Sequence, residues 1–363
     1  MVVLKTLFWG SAAALAWTHV GYPAAAAALA RARERRVAKA DVEPTVAVIV
    51  AAHDEESVIE RRIENLQALD YPADRLELVV TSDASSDRTD ELAEAAGARV
   101  IRNPRGGKVA AQDRAVRETA AEIVAFSDAN ATWAPDALRK LVRVFADPDV
   151  AYVCGRLVLQ RADGTNREGA YWRYELWLRE SESRLGSVTG GNGSIYAVRR
   201  EDYVDVDPRF GHDLSFPYLM VQRGRRAVFE PEALAYEKPT PDLETEYRRK
   251  VRMFEHCWLI ALRGRMLRGL PPVYRASMVS HRALRYGSGI LHAVLLGANV
   301  ALVASGSVYV VALAGQAAFV LLAVARPGLP RYYALVTLAT LTALRNYVRR
   351  GVPATWQAAE GTR

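Results

Sequence analysis

Short apolar runs alternate with helical patterns through the middle of the chain. Runs typical of strands begin at Val46, Leu76, Arg99 and Ile123, and the first and last of these are apolar enough for both faces to be buried. Between them apolar residues recur three and four positions apart, as in the segment 58–69, which predicts amphipathic helices. Strand–helix alternation of this kind is typical of a doubly wound sheet. We therefore predict an α/β domain with a Rossmann-like, mostly parallel sheet over residues 45–265.

The pattern changes in the second half of this domain. A strand-like run at 152–159 is followed by a helical pattern at 171–185 and then by the glycine cluster 190–193. Such a cluster is common in flexible loops, and it also lets the backbone approach a ligand closely. A long amphipathic helix rich in arginine is predicted at 243–270. It either lies along a membrane surface or packs on the domain.

The N-terminal apolar segment is long enough to cross a bilayer. Residues 6–30 are almost uncharged, and about 20 apolar residues suffice for a transmembrane helix, so residues 1–30 are assigned to an N-terminal span. Basic residues crowd the linker 31–44, against a single Lys5 before the span. The positive-inside rule therefore places the domain in the cytoplasm. A cleaved signal peptide is the alternative, because small residues surround Ala28, but its basic side would be reversed.

A second apolar block closes the chain. Its parts are, in order, an interfacial helix at 266–287, a membrane region at 288–350 with two spans at about 288–304 and 307–325, and a cytoplasmic tail at 351–363. The stretch 332–344 is short and basic at both ends, so an interfacial or re-entrant segment is favoured over a third span. Together these features predict a multi-pass protein of the cell membrane, in contact with membrane lipids.

The charge and the cysteine content of the chain limit the binding partners and the redox compartment that we expect. The chain has 363 residues and a formal net charge of +7, with arginines concentrated beside the apolar segments. That arrangement suits the cytoplasmic face of a membrane better than nucleic acid, and no nucleic-acid-binding motif is present in the sequence. Cys154 and Cys257 lack metal-ligand spacing, which indicates core thiols in a reducing compartment.

Two polar side chains follow the buried strand that begins at Ile123. Asp128 and Asn130 are two residues apart, so in an extended segment they point to the same side. Open α/β sheets bind ligands at the carboxyl ends of their strands. Oxygen ligands there would hold a divalent cation, Mg2+ or Mn2+, together with a diphosphate. A polar turn is the simpler alternative, because Asp and Asn are common in turns.

Other charged residues also have two interpretations. Asp83 follows the second strand and would either bind a base or ribose or brace its own loop. Asp213 starts a predicted helix, as a cap or as the general base that removes a proton from an acceptor hydroxyl. Arg249 and Arg252 share a helix face and are placed to bind a departing diphosphate. A basic helix near a membrane would carry similar arginines.

Taken together, seven stretches in this order and spacing resemble a membrane-anchored family 2 glycosyltransferase. They are VAVIVAAHDEES from Val46, SDASSDRT from Ser82, RGGK from Arg105, FSDAN from Phe126, TGGNGSIYAVRRE from Thr189, HD from His212 and YRRKVRM from Tyr247. The resemblance covers roughly residues 45–260. It implies a GT-A fold and an inverting transfer of a sugar from a nucleotide-sugar donor, with a UDP-sugar favoured by the habit of the family.

The resemblance also implies a role for each candidate residue. Donor binding is assigned to Asp83, Lys108, Asp128, Arg249 and Arg252. The divalent metal is assigned to Asp128 and Asn130, the catalytic base to Asp213, and the acceptor side to the loop at Gly191, Asn192 and Gly193. The expected acceptor is a lipid-linked or membrane-presented glycan.

Three positions depart from the family pattern. Asp54 stands where many members have Asn, and Asn130 replaces the second Asp of the usual metal motif, which weakens the expected metal affinity. Processive polysaccharide synthases of the family follow the last arginine with Trp, whereas Met253 follows Arg252 here. The missing indole removes a stacking platform for a sugar. We therefore favour single or few transfers over a processive synthase, which stays the alternative.

Two functions from other classes are weaker. A catalytically silent membrane scaffold would lose the reactive carboxylates, but both Asp128 and Asp213 are present. A membrane-bound Rossmann oxidoreductase needs a glycine fingerprint directly after its first strand. The sequence there, from Ala51 to Glu56, contains no glycine.

Overall fold

The computed structural model describes residues 1–160 and 169–355, which contain one eight-stranded sheet. Its strands are β1 (Val46–Ala52), β2 (Leu76–Asp83), β3 (Arg99–Asn103), β4 (Ile123–Asp128), β5 (Thr132–Trp133), β6 (Val150–Leu159), β7 (Tyr196–Arg199) and β8 (Arg226–Glu237). They lie in the order β3-β2-β1-β4-β7-β6-β8-β5.

Parallel pairing dominates the first half of this sheet. Strands β1 to β4 pair in parallel, as do β6 and β8. Strand β7 is antiparallel to both β4 and β6, and the short β5 is antiparallel to β8. The predicted α/β domain with a mostly parallel sheet is therefore confirmed.

Helices flank the sheet and form both ends of the chain. They are, in order, α1 (Val2–Ala16), α2 (Tyr22–Ala32), α3 (Ile59–Gln67), α4 (Thr89–Ala95), α5 (Lys108–Arg117), α6 (Ala137–Val142), α7 (Ala170–Leu185), α8 (His212–Gln222), α9 (Leu243–Arg263), α10 (Pro272–Ser277), α11 (Leu284–Tyr286), α12 (Ser288–Leu302), α13 (Ser307–Ala325) and α14 (Leu329–Arg350).

Both faces of the sheet are buried. Every residue of β1 is buried, because its alternate side chains enter two separate clusters. Val48 and Val50 pack on one face with Ile63 of α3, whereas Ile49 packs on the other face with Phe126. Burial on both faces explains why the parallel strands are continuous apolar runs rather than alternating ones.

Two helices of the described chain are long and apolar enough to cross a membrane. They cover Ser288–Ser305 and Ser307–Ala325, where the sequence predicts the two C-terminal spans. Helix α14 contains the stretch 332–344 and is not one of them, so the interfacial location of that stretch stays a prediction. Of the predicted tail 351–363, the part beyond residue 355 lies outside the described residues.

The predicted N-terminal span stays a prediction. A π-helical segment at Trp17–Gly21 joins α1 to α2 with right-handed helical backbone angles at both junctions, and neither α1 nor α2 by itself is among the described helices that are long and apolar enough to cross a membrane. Both helices also pack on the rest of the protein. Phe8 joins a buried cluster with Leu302, and the hydroxyl of Tyr22 donates to Glu182 at 2.7 Å.

Two predicted helices have different limits in the structure. The arginine-rich helix predicted to reach residue 270 ends at Arg263, because Gly264 follows and Arg265 adopts a positive φ of 50°. The predicted interfacial segment 266–287 is helical from Pro272 and buries His281 and other side chains of one face within the protein. Its location at a membrane surface stays a prediction.

Candidate active site

The carboxyl ends of three parallel strands meet at one edge of the sheet. Ala51 of β1 pairs with Asp128 of β4, and Ala52 pairs with Ser82 of β2. Asp83 and Asp128, the last residues of their strands, therefore lie on either side of β1. This edge is where an open α/β sheet binds its ligands.

Asp83 is buried and braces the turn that precedes α5. Arg105 Nη1 donates to Asp83 Oδ2 at 2.6 Å, the N–H of Gly106 donates to Oδ1 at 2.7 Å, and the N–H of Gly107 donates to both oxygens at 3.0 Å. A carboxylate accepts about four hydrogen bonds, so most of its capacity is already used. The bracing role is therefore observed, in a turn that the sequence did not indicate, and contact with a nucleoside stays a prediction.

Lys108 is the centre of the site. It begins α5 and forms an ion pair with Asp128. Burial works against the charged ammonium, but the carboxylates of Asp128, Asp213 and Glu237 outweigh it and raise the pKa of Lys108. A Cβ added to Gly193 would stand 3.4 Å from Lys108 Nζ and 3.5 Å from Asp128 Oδ2. Asp128 and Gly193 thus lie beside the Lys108 ammonium, and Asp213 is near enough to interact with it electrostatically.

Glu237 is a site residue that the sequence patterns do not reveal. It ends β8, and Ser194 Oγ donates to its carboxylate. Burial and the neighbouring charge of Asp128 raise the pKa of Glu237 to about 7. The strand pattern in the sequence stops near Glu230, before Pro231, so the apolar run gives no reason to place Glu237 at the same edge as Asp128.

The glycine-rich loop is packed tightly against its neighbours. The N–H of Gly191 donates to the backbone carbonyl of Asp213 at 2.7 Å, and a Cβ added to Gly191 would stand 2.0 Å from the Tyr152 hydroxyl. Asn192 Nδ2 donates to the carbonyl of Gly155 at 2.6 Å. The Asn192 side chain therefore braces the loop, and the acceptor-side role of the loop stays a prediction.

Asp213 and His212 occupy different environments although they are adjacent. Gly211 is the N-cap of α8, so Asp213 is not the helix cap, and its side chain is half-buried. His212 stacks on Phe216 with ring centroids 4.3 Å apart and hydrogen-bonds the Tyr196 hydroxyl at 3.0 Å. Burial lowers the pKa of His212. His212 is therefore a residue of the core.

The two predicted diphosphate-binding arginines lie on α9. Arg249 donates from Nε and Nη2 to Glu246 at 2.9 and 3.0 Å. Burial opposes the charge of Arg249, but Glu246 outweighs it and raises the pKa of Arg249. Burial, together with the charge of Arg249, lowers the pKa of Arg252. A diphosphate would have to compete with Glu246 for Arg249.

The residues present fit a hard divalent cation only with help from a ligand. Asp128 and Glu237 supply carboxylate oxygens that lie close enough to interact electrostatically, and Asn130 adds an amide oxygen from the same loop as Asp128. Within residues 1–160 and 169–355, no group of three or more His, Cys, Asp or Glu side chains is arranged as a metal site. A cation at Asp128 would therefore complete its oxygen shell with the diphosphate of a donor.

Comparison with known proteins identifies the domain. Residues 47–206 match the family model of glycosyl transferase family 2. This chain contains a family 2 glycosyltransferase domain. The matched segment includes Asp83, Asp128 and the glycine-rich loop, whereas Asp213 and the arginines of α9 follow it. The family predicted from the sequence motifs is thus confirmed.

Relatives of the glycosyltransferase domain carry several names. The beta-monoglucosyldiacylglycerol synthase of Trichormus variabilis is 32% identical over 212 residues, which are 55% of this chain and 45% of that protein. An N-acetylglucosaminyltransferase of Rhizobium meliloti is 26% identical over 293 residues, covering 69% of this chain and 66% of that protein. This chain therefore spans less than half the length of the first relative.

A solved structure shares the fold of almost the whole chain. The mannosyltransferase PcManGT from Pyrobaculum calidifontis, solved in complex with GDP-Man and Mn2+, has a TM-score of 0.74. At 24% identity, the alignment covers 94% of this chain and 99% of that one. The likeness concerns the fold alone, and it agrees with the GT-A-like fold that the sequence motifs imply.

Proposed function

We propose that this protein transfers a sugar from a nucleotide-sugar donor to a hydroxyl of a lipid-linked or membrane-presented acceptor, with inversion at the sugar. The observation that carries the proposal is that Asp128 and Gly193 lie beside the Lys108 ammonium and that Asp213 interacts with it electrostatically. Carboxylates and a lysine at this edge of the sheet supply what an anionic donor and a reacting hydroxyl require. A UDP-sugar is the favoured donor.

Each site residue has a separate role in the proposed reaction. Asp213 accepts the proton of the acceptor hydroxyl as that oxygen bonds to the anomeric carbon. The bond from the anomeric carbon to the donor phosphate breaks at the same time, and the nucleoside diphosphate leaves with the electron pair. Lys108, Arg249 and Arg252 stabilise the negative charge that develops on the leaving group. Asp83 keeps the turn at Gly107 in shape beside the nucleoside.

A divalent cation, when bound with the donor at Asp128 and Asn130, would act as a Lewis acid on the diphosphate. Lys108 pairs with Oδ1 of Asp128, so the second carboxylate oxygen would be the one available to a cation. Glu237 lies close enough to interact electrostatically with Asp128 and would be available as a further carboxylate. The relatives and the solved mannosyltransferase support a sugar-transfer role without fixing the sugar.

The two apolar helices, Ser288–Ser305 and Ser307–Ala325, support the proposed placement at a membrane. They come shortly after the site residues of α9, so an acceptor held in the bilayer would be presented close to the domain. A diacylglycerol or another lipid with a free hydroxyl is the acceptor class that we favour over a soluble sugar.

Calorimetry on the detergent-purified protein tests the donor site. UDP and GDP are titrated with and without Mn2+ into the wild type, into Asp128→Asn, and into Asp136→Asn as a matched control, because Asp136 is an exposed carboxylate whose side chain does not cap α6. We expect one nucleotide to bind with help from Mn2+, and Asp128→Asn to lose that help. Absence of binding by both nucleotides to the wild type would overturn the proposed function.

A further inference from the structure

Residues 351–355, which follow α14, lie back against the domain. At Gly351, with φ of 71°, the chain turns out of α14, and residues 351–355 form what we call the C-terminal strap. The end of α14 is fixed to α9, since Asn346 Nδ2 and Arg350 Nη2 donate to Glu255 at 2.7 and 3.0 Å. The strap therefore starts from a defined point.

The first part of the strap lies along α9. Val352 is 7% exposed and lines a cavity of about 310 Å³ together with Leu259. Val352 and Pro353 also line a second cavity of about 670 Å³, whose other wall includes Arg252. The strap thus runs past one of the two arginines assigned to the diphosphate.

The second part of the strap lies on the turn that holds Asp83. A Cβ added to Gly107 would stand 2.1 Å from the carbonyl oxygen of Ala354 and 2.8 Å from its carbonyl carbon. The N–H of Gly107 donates to both carboxylate oxygens of Asp83. The backbone of Ala354 is therefore in direct contact with the residue that orients the carboxylate assigned to the nucleoside.

The strap consequently bridges the two sides of the donor cleft, from Arg252 to Gly107. A nucleoside diphosphate bound between Arg252 and Asp83 would need the same opening. We propose that the C-terminal strap closes the donor cleft in the free protein and is displaced when the nucleoside diphosphate part of the donor binds. This inference rests on the proposed function and adds a gate to the same site.

The strap is held by few buried side chains, as we expect for a segment that can be displaced. Val352 is its one buried apolar side chain in the described chain, and Thr355 at its far end is exposed. Because the closed state excludes the nucleotide, the apparent affinity equals the intrinsic affinity multiplied by the open fraction. Releasing the strap should therefore tighten nucleotide binding, and nucleotide should release the strap.

The first test measures affinity. Calorimetry with UDP and with GDP, in the presence of Mn2+, compares the full-length wild type with the double variant Val352→Ser/Pro353→Gly. The control is Leu338→Ser, at a position of α14 that is 57% exposed and lines neither cavity. If the strap is closed about nine times in ten, the double variant binds roughly tenfold tighter, and the control is unchanged. Equal or weaker binding by the double variant would overturn the strap proposal.

The second test observes the strap directly. A nitroxide spin label on Thr355→Cys reports mobility, and the two native cysteines are buried. The label should be immobile in the free protein and mobile in the double variant or with saturating nucleotide. A label whose mobility does not change although calorimetry shows binding would refute the strap alone. If neither nucleotide binds to either protein, the proposed function and the strap proposal both fail.

Discussion

Replacing Glu182 of α7 by glutamine tests the buried network beneath the glycine-rich loop. The Glu182 carboxylate accepts from the Tyr22 hydroxyl at 2.7 Å and from the N–H and hydroxyl of Thr189 at 3.1 and 2.9 Å, and it lies 2.7 Å from His281 Nδ1. It thus joins α2, α7, the loop and the helical segment after α10. Glutamine keeps the shape, but it loses the charge and half of the acceptor capacity.

The expected loss of stability follows from the pKa of the Glu182 carboxyl. Burial opposes ionisation of Glu182, but His281 and Arg282 outweigh it and lower the pKa from 4.5 to about 2. At about 1.4 kcal/mol per pH unit, ionised Glu182 stabilises the fold by roughly 3 kcal/mol. Breaking a buried ion pair costs a similar amount, about 3–5 kcal/mol. For Glu182→Gln we therefore expect the melting temperature to fall by about 5–10 °C at pH 7.

Differential scanning fluorimetry of the detergent-purified protein measures this change, with Glu180→Gln as the control at an exposed position of the same helix. The folded pKa of Glu182 lies below the unfolded one, so its stabilisation is complete above about pH 4.5 and is lost as the pH falls toward 2. The difference between the wild type and Glu182→Gln should shrink in acid. A melting temperature within 2 °C of the wild type at pH 7 would refute the reasoning.

Three further predictions concern single residues. Gly107→Ala places a Cβ where φ is +93° and should cost about 1–3 kcal/mol of stability, measured by thermal melting; an unchanged melting temperature would contradict the turn geometry. Because the pKa of Glu237 is raised to about 7, the wild type should lose stability as the pH rises from about 4.5 to 7, and Glu237→Gln should lose less; parallel melting curves in this range would contradict that environment. His212→Gln should lower stability by about 1–3 kcal/mol but leave the calorimetric nucleotide Kd within twofold of the wild type, whereas a tenfold weaker Kd would place His212 in the site.

The order and pairing of the first four strands could be predicted because they depend on local patterns of apolar residues. Strands β1, β2 and β4 contain short apolar runs that end in polar turns, β3 has only Val100 and Ile101 as apolar residues, and the helices between the strands carry clear apolar faces. The order and parallel pairing of these strands therefore follow from chain-local patterns. Asp83 and Asp128 were placed at the correct edge for the same reason. Each is the polar residue at which an apolar strand ends.

The features that the sequence did not predict depend on contacts between distant parts of the chain. Strand β8 continues through Pro231 to Glu237 because its register with β6 shifts between Gly155 and Arg156, and such an irregularity accommodates a proline that normally ends a strand. No local pattern could place Glu237 beside Asp128, nor turn Asn192 inward to brace its loop. The packing of α2 on α7 also could not be predicted, because the N-terminal segment has the apolar composition of a transmembrane span.

Turnover of nucleotide sugars tests the central claim most directly. The detergent-purified wild type and Asp213→Asn are incubated with Mn2+, a panel of UDP- and GDP-sugars and dioleoylglycerol in mixed micelles, and released nucleoside diphosphate is measured. We predict that the wild type consumes one donor and that Asp213→Asn is slower by about 10²–10⁴-fold while its nucleotide Kd is unchanged. Consumption of no donor by the wild type, or equal rates for the two proteins, would contradict the account.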